Sequence, residues 1–273
     1  MASRSTARTL PAAVDDQLAD QADRHALYQA AVNAPVDNIE FIERVYTEAR
    51  GSKPKVLRED FCGTALLAAT WARRGPQRRA IGVDLDPEAL AWGARHNLAG
   101  VAERVQLVRA DVLEDRDLRA DVVCALNFSY FLVRTRAQLL TYFRNVRNNL
   151  RPGGLFVLDC IGGTEAVADF HEEREYDGFT YVWQQKDFNP LDHTARCSIS
   201  FAFADGSRIE PAFAYTWRVW TLPELRDLLE EAGFTSLRVF WEYAADDEDT
   251  SEYREIAHEQ NQEIWLTYLV ASP

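Results

Sequence analysis

Apolar and polar positions along the chain from residue 55 onward alternate between two periods, and their order predicts the fold. Longer segments with helical periodicity, such as "TALLAATWARRG" and "RTRAQLLTYFRNVRNNL", separate short apolar runs that predict strands. The short runs are "PKVLRE", "RAIGVDL", "RVQLVRAD", "ADVVCALN" and "LFVLDCI". Strands that alternate with helices favour a parallel sheet covered on both faces. We therefore predict an α/β, doubly wound, Rossmann-like sheet of seven strands, with 51–162 and 221–273 as its core.

The pattern changes after residue 162. Three segments alternate apolar and polar positions with period two: "FTYVWQQ", "TARCSISFAFADGS" and "PAFAYTWRVW". Asp205-Gly206 is a hairpin-turn signal. Aromatic side chains share strand faces here, at positions Tyr181, Trp183, Phe213, Tyr215 and Trp217. This pattern predicts an antiparallel β insertion at 163–220, which serves either as a substrate lid or as an interface.

The remaining segments complete the predicted domain organisation. "TLPELRDLLEEAGF" predicts a helix, and "SLRVFWE" and "EIWLTYLVA" predict the last two strands. Residues 1–50 are predicted to be a disordered tail followed by N-terminal cap helices. The acidic stretch "AADDEDTSE" at 244–252 is typical of a solvated loop.

Composition narrows the classes of partner. The chain has 273 residues with 30 basic and 43 acidic side chains, and its net charge of −13 disfavours nucleic acid. No apolar run approaches the ~20 residues of a membrane span, and the first residues lack a secretory signal. The four cysteines are widely spaced, without a CxxC pair, and the five histidines lack metal-ligand spacing. We therefore predict a cytoplasmic protein with a small-molecule partner, no membrane, no nucleic acid and no metal; a homodimer stays open.

The stretch "KVLREDFCGTALLA" at 55–68 joins the first predicted strand to the first predicted helix. In a doubly wound sheet, ligands bind at this carboxyl end of the strands. The GxGxxG pattern of dinucleotide sites is missing, since Gly63 is the only glycine in the stretch. Glu59 and Asp60 would repel a pyrophosphate but would suit a ligand that carries an ammonium and a sulfonium. Strand alternation sends these two carboxylates to opposite sides, so one faces the ligand and the other can pair with Arg58.

Five motifs in order resemble class I S-adenosylmethionine-dependent methyltransferases. They are Cys62-Gly63-Thr64 after the acidic residue, "IGVDLDPEAL", "LVRADVLE", "LRPGGLFVLD" and "AGFTSLRVFWE". The resemblance covers about residues 52–162 and 221–241. The chain departs from the family pattern at Phe61 and Ala65, which stand where the family has glycines. We expect a modified turn that still binds a ligand.

The resemblance implies S-adenosyl-L-methionine as the cofactor. It implies these contact residues: Tyr28, Glu59, Cys62, Gly63, Asp84, Leu85, Asp111, Val112 and Asn127. In the family, the position of Asp84 takes both ribose hydroxyls, and that of Asp111 contacts the adenine amino group, with Val112 beside the ring. The alternatives are that Asp84 caps the following helix and that Asp111 is a turn carboxylate.

The sequence offers few candidates on the substrate side. Asn127 and Tyr130 follow the fourth predicted strand, where they either contact substrate or make structural hydrogen bonds. Arg218 in the insertion either holds a substrate carboxylate or forms a surface ion pair. His171 and His193 are the histidines near the insertion that could act as bases.

We expect an S-adenosylmethionine-dependent methyltransferase acting on a small molecule, with N-methylation of an amine as one option. The insertion after the fifth strand resembles that of small-molecule N-methyltransferases acting on amino acids or amino sugars. Two alternatives stay open. One is a non-catalytic methyltransferase-like binding or scaffold protein, and the other is an NAD(P)-dependent oxidoreductase, which Glu59 and the missing GxGxxG disfavour.

Overall fold

The computed structural model describes residues 17–244 and 251–273. The tail for which we predict disorder lies mostly outside these residues. Three helices precede the first strand: α1 (Leu18–Gln21), α2 (Arg24–Val32) and α3 (Pro35–Arg50). The Asp23 carboxylate caps α2 by accepting hydrogen bonds from two backbone N–H groups of its first turn.

Strands and helices then alternate up to residue 162, and an all-β segment follows. The elements in chain order are β1 (Val56–Asp60), α4 (Leu66–Arg73), β2 (Arg79–Asp84), α5 (Pro87–His96), β3 (Val105–Arg109), β4 (Ala120–Ala125), α6 (Arg136–Asn149), β5 (Leu150–Gly162), β6 (Phe170–Tyr176), β7 (Phe179–Asn189), β8 (Thr194–Ala202), β9 (Arg208–Arg218), α7 (Leu222–Glu231), β10 (Ser236–Ala244), β11 (Ser251–Ile256) and β12 (Trp265–Ser272). Short 3₁₀ turns lie at Ala102–Arg104, Ser129–Leu132 and Glu165–Val167.

The large sheet has the strand order β11-β10-β12-β5-β4-β1-β2-β3. Strands β1 to β5 are parallel, whereas β10, β11 and β12 pair antiparallel. The predicted doubly wound fold is confirmed, but the sheet has eight strands rather than seven. The additional strand, β11, is a charged edge strand that pairs only with β10. An edge strand needs no buried face, so its sequence shows no apolar alternation. Of the acidic stretch predicted as a loop, 245–250 lie outside the described residues.

The second sheet is antiparallel, with the order β6-β7-β8-β9. Its presence confirms the predicted antiparallel insertion in the fold. The hairpin signal is also found in place, because Gly206 has φ +81° and the Asp205 carboxylate accepts the Ser207 N–H at 2.9 Å. Strand β6, "FHEEREY", was missed, because most of its charged side chains are solvent-exposed and leave no apolar period to detect.

The two faces of the large sheet are buried against different helices. Residues of α6 and α7 pack on one face, and residues of α3 and α4 pack on the other. The ring of Trp217 on β9 packs edge-on to Phe131, with ring centroids 5.6 Å apart, which joins the second sheet to the core. Within the described residues, no helix is both long and apolar enough to cross a membrane.

Candidate active site

A cavity of about 540 Å³ lies at the carboxyl ends of the parallel strands. Its volume is in the range of pockets that hold a cofactor-sized molecule. The structure brings every predicted cofactor contact to its lining: Tyr28, Glu59, Cys62, Gly63, Asp84, Leu85, Asp111, Val112 and Asn127. They meet because the carboxyl ends of neighbouring parallel strands share one edge of the sheet.

The turn between β1 and α4 has the left-handed backbone typical of glycine at three positions, of which only one is a glycine. Phe61, Gly63 and Ala65 all have left-handed φ angles, of +57°, +51° and +54°. For the two residues with a Cβ, this conformation costs about 1–2 kcal/mol each. Hydrogen bonds hold the turn: the Cys62 N–H donates to the Val83 carbonyl at 3.0 Å, and the Ala65 N–H donates to the Cys62 carbonyl at 2.7 Å. The expected modified turn is therefore left-handed at two positions that carry a Cβ.

Asp84 ties this turn to the end of β2. One carboxylate oxygen accepts the Gly63 N–H at 2.7 Å, and the other accepts the Asp86 N–H at 2.9 Å. The capping alternative for Asp84 is wrong, since Asp86 is the residue that caps α5, accepting from Glu88 N–H at 2.8 Å. Each carboxylate oxygen of Asp84 keeps a second lone pair, which leaves it able to accept from a diol.

The two acidic residues at the end of β1 have different environments. Arg58 donates to both carboxylate oxygens of Asp60, at 2.7 and 3.2 Å, and the Tyr142 hydroxyl donates at 3.0 Å. Glu59 instead lines the cavity and accepts only the Ala68 N–H at 3.0 Å among the hydrogen bonds of the described chain. Burial raises the pKa of Glu59 to about 8, although the Ala68 N–H opposes the shift. A buried carboxylate without a cation suits the ammonium of a ligand.

Asp111 lies in the cavity wall, two residues beyond the end of β3. Its carboxylate accepts the Leu113 N–H at 2.9 Å, as a turn carboxylate does. The same side chain also lines the cavity, so the turn role and a ligand role are compatible. Val112, Leu113 and Leu126 form an apolar wall beside it. One carboxylate within an apolar wall matches an aromatic ring that carries an amino group.

Helix α2 covers the cavity. Tyr28 packs edge-on to Phe213 of the second sheet, with ring centroids 5.2 Å apart. The helix is held to the core by the Trp92 indole N–H, which donates to the Asp23 carboxylate at 2.6 Å. His25 also lines the cavity, although no motif or spacing in the sequence singles it out.

A second cavity, of about 590 Å³, lies between the large sheet and the antiparallel sheet. We refer to it as the inner cavity. Residues that line both cavities form the border between them: Tyr28, Asn38, Asn127, Ser129, Leu132 and Tyr215. The inner cavity is lined by aromatic rings, including Tyr181, Trp183 and Trp217, and by the carboxylates of Asp159, Glu165, Glu172 and Glu242.

Comparisons with known proteins agree with this geometry. Residues 61–154 match a family described as a methyltransferase domain. These residues therefore form a methyltransferase domain. Ribosomal protein L11 methyltransferases are similar to parts of the chain. The one from Actinobacillus succinogenes is 45% identical over 65 residues, 23% of this chain and 22% of that protein. The one from Pectobacterium carotovorum is 34% identical over 110 residues, 40% of this chain and 36% of that protein. The chain thus spans less than half the length of these curated relatives.

Solved structures resemble the whole fold of the methyltransferase domain and its insertion. An S-adenosylmethionine-dependent methyltransferase from Clostridium acetobutylicum aligns with TM-score 0.66 and 16% identity, over 91% of this chain and 97% of that one. CalS10, an amino pentose methyltransferase from Micromonospora echinaspora, aligns with TM-score 0.63 and 19% identity, over 91% and 96%. The sugar N-methyltransferase KedS8 from Streptoalloteichus aligns with TM-score 0.60 and 20% identity, over 100% and 99%. At such identities the likeness shows the fold. The predicted doubly wound fold is confirmed, and so is a methyltransferase domain within it, at residues 61–154.

The three predicted substrate-side residues lie in different environments. Asn127, with φ +56°, lines both cavities. Tyr130 lines neither cavity, because it is fully buried and its hydroxyl donates to the Asp159 carbonyl at 2.7 Å. Arg218 lines neither, because it pairs with Glu224 at 3.0 Å and its guanidinium stacks on a tryptophan ring. Tyr130 and Arg218 thus make the contacts of the structural alternative, and a role toward substrate stays a prediction for both.

The two candidate bases from the insertion also lie outside both cavities. The exposed His171 ring nitrogen is 3.1 Å from the Glu173 carboxylate, and His193 occupies a turn with φ +58°. Sequence reasoning also missed Asp159, a buried carboxylate in the wall of the inner cavity. Its place at the end of "LFVLD" was a usable signal, since it follows an apolar run at the carboxyl edge of a parallel strand.

Proposed function

We propose that this protein methylates an amine nitrogen of a small molecule, with S-adenosylmethionine as the methyl donor. The observation that carries the proposal is the meeting of two cavities at Asn127: one of cofactor size, and one that is aromatic and acidic. The alternatives of an oxidoreductase and a scaffold have no comparable feature in their favour.

Residues around the first cavity suit each part of the cofactor. Asp84 would accept from the ribose hydroxyls, Asp111 would accept from the adenine amino group, and Glu59 would bind the ammonium of the methionine part. The bound cofactor supplies an electrophilic methyl group on a sulfonium. A carboxylate at each polar end, with apolar walls between them, fits this molecule better than a pyrophosphate.

The inner cavity suits a cationic or amine substrate. Its aromatic rings attract cations through their faces, and its carboxylates add negative potential. The names of two structural relatives, an amino pentose methyltransferase and a sugar N-methyltransferase, agree with a small amine as the substrate class.

The chain's own contribution is to position the substrate and to exclude water. Alignment of a nucleophile with a methyl group can lower the barrier by about 7–11 kcal/mol. Asn127 and Ser129 stand at the border where the reacting nitrogen must lie. We propose that the insertion at 163–220 acts as the lid of this site, because Trp183 and Trp217 form part of the wall of the inner cavity.

The test is ligand-induced stabilisation followed by turnover. S-adenosylmethionine and S-adenosylhomocysteine should raise the melting temperature of the purified protein, whereas NAD and NADP should not, because a ligand that binds only the folded state stabilises it. Amines, alcohols and carboxylic acids of similar size then serve as methyl acceptors in a screen. A shift with NADP alone, or methylation of alcohols in preference to amines, contradicts the proposal.

A further inference from the structure

Asp159 lies in the wall of the inner cavity near the end of β5. It is 5% exposed. Its two carboxylate oxygens accept the N–H groups of Asn127 at 2.6 Å and of Phe128 at 2.9 Å. Both of these residues have left-handed φ angles, of +56° and +54°. The carboxylate therefore sits directly behind Asn127, the residue at the border of the two cavities.

In the part of the chain that the structure describes, no cationic side chain pairs with the Asp159 carboxylate. No ion pair within the described residues includes Asp159. Among the described residues that line the inner cavity, Arg174 is the one cationic side chain, and its guanidinium pairs with Glu172 at 3.4 Å and stacks on Tyr181. Apart from Arg174, the described titratable groups that face Asp159 or line its cavity are phenols, thiols and acids: Tyr28, Cys124, Tyr130, Cys160, Glu165, Glu172, Tyr181, Tyr215, Glu242, Tyr253 and Tyr268. None of these supplies a positive charge.

The surroundings of Asp159 are costly for an anion. Burial raises the pKa of Asp159 to about 7, although the Phe128 and Asn127 N–H groups oppose the shift. A buried charge is ordinarily paired or metal-bound. The rings of Trp183 and Trp217, whose centroids are 5.0 Å apart, line the same cavity and would stabilise a cation rather than an anion. A positive charge beside Asp159 would therefore lower the cost of burying this carboxylate.

We propose that Asp159 binds the ammonium group of the substrate and takes its proton. This inference rests on the proposed function. In the step, the N–H bond of the ammonium breaks, the proton moves to a carboxylate oxygen of Asp159, and the electron pair stays on nitrogen. The result is a neutral amine whose lone pair is free to be methylated, at the border marked by Asn127. The proton on Asp159 then leaves to solvent, so that no oxidant or reductant is involved.

Two small probes of similar shape test the inference without turnover. Benzylamine carries the cation, and benzyl alcohol does not. Both are titrated by calorimetry into the protein saturated with S-adenosylhomocysteine, in buffers of different ionisation enthalpy. We expect benzylamine to bind at least about tenfold more tightly than benzyl alcohol. Because the pKa of Asp159 is about 7, binding of the ammonium should release roughly 0.9 proton at pH 6 and roughly 0.1 at pH 8.

A matched pair of variants separates charge from structure. Asp159→Asn should lose both the preference for the amine and the proton release. Asp121→Asn is the control, because Asp121 also accepts two consecutive backbone N–H groups, of Lys55 and Val56, each at 2.8 Å. It lies near the amino end of β4, away from both cavities, and should keep the amine preference.

Three outcomes overturn the inference: no measurable binding of benzylamine, equal binding of amine and alcohol, or an unchanged preference in Asp159→Asn. If Asp159→Asn does not fold, proton release by the unmodified protein decides, and no release at pH 6 contradicts the inference. Failure of the unmodified protein to bind S-adenosylhomocysteine would instead contradict the proposed function. Cofactor binding without amine preference contradicts the role of Asp159 alone.

Discussion

Replacing Glu59 by glutamine should stabilise the free protein while weakening its hold on the cofactor. Glu59 is a buried carboxylate whose single hydrogen bond in the described chain comes from the Ala68 N–H. Glutamine keeps an oxygen that can accept this bond and removes the charge. We expect the two effects to be opposite in sign, because the site is built to bind a cation that the free protein lacks.

The magnitude follows from the pKa of Glu59, which burial raises from 4.5 to about 8. A raised carboxylate pKa means that the folded state binds the proton more tightly than the unfolded state. The contribution of Glu59 to the free energy of unfolding is therefore greatest below pH 4.5 and falls as the pH rises towards 8. At pH 7 the penalty is about 3 kcal/mol, and this figure is an upper limit. The variant has no such penalty.

Urea unfolding from pH 5.5 to 8, without ligand, measures this difference. The free energy of unfolding of Glu59→Gln should exceed that of the unmodified protein by a margin that grows by about 3 kcal/mol over this range. Its affinity for S-adenosylhomocysteine should fall by about 10- to 150-fold, the value of a charged hydrogen bond. Glu103→Gln, at an exposed position beside β3, is the control and should change neither quantity. Parallel pH curves for Glu59→Gln and the unmodified protein would refute the reasoning.

Three further changes test the site from other directions. Asp84→Ala removes the acceptor of the Gly63 N–H and should lower the affinity for S-adenosylhomocysteine at least about tenfold by calorimetry, and an unchanged affinity would argue against the ribose contact. Gly93→Ala places a Cβ 2.1 Å from the Thr64 carbonyl oxygen, so several kcal/mol of unfolding free energy should be lost in urea titrations; a variant of normal stability would show that the helix and turn can separate. Trp217→Ala should weaken benzylamine binding while S-adenosylhomocysteine affinity and the mass in light scattering stay the same, and dissociation of an oligomer with intact binding would favour the interface alternative.

Local patterns in the sequence determined the fold class and the cofactor edge of the site. The alternation of apolar strands with helices implies a doubly wound sheet, because each strand must be covered on both faces. Residues at or just beyond the carboxyl ends of strands, such as Asp84 and Asp111, must then meet at the carboxyl edge. Their convergence is a consequence of topology, and topology is encoded locally.

Edge strands and polar partners depended on the tertiary structure. Strands β6 and β11 have few buried side chains, so no apolar period marks them. That Glu59 rather than Asp60 lines the cavity depended in part on Tyr142, which is 82 residues from Asp60 along the chain and donates a hydrogen bond to it. A contact between residues so distant has no signature in the sequence around either of them.

The inner cavity depended on tertiary structure alone. Its walls come from the large sheet, from helix α2 and from the antiparallel sheet, which are separate segments of the chain. The aromatic positions of the insertion were visible as an alternating pattern, but the same pattern serves sheet packing, an interface or a pocket equally well. Packing of the second sheet against Phe131 turned that pattern into a cavity wall and enclosed Asp159 within it. Period and propensity describe one segment at a time, whereas an enclosed volume exists only after separate segments have packed together.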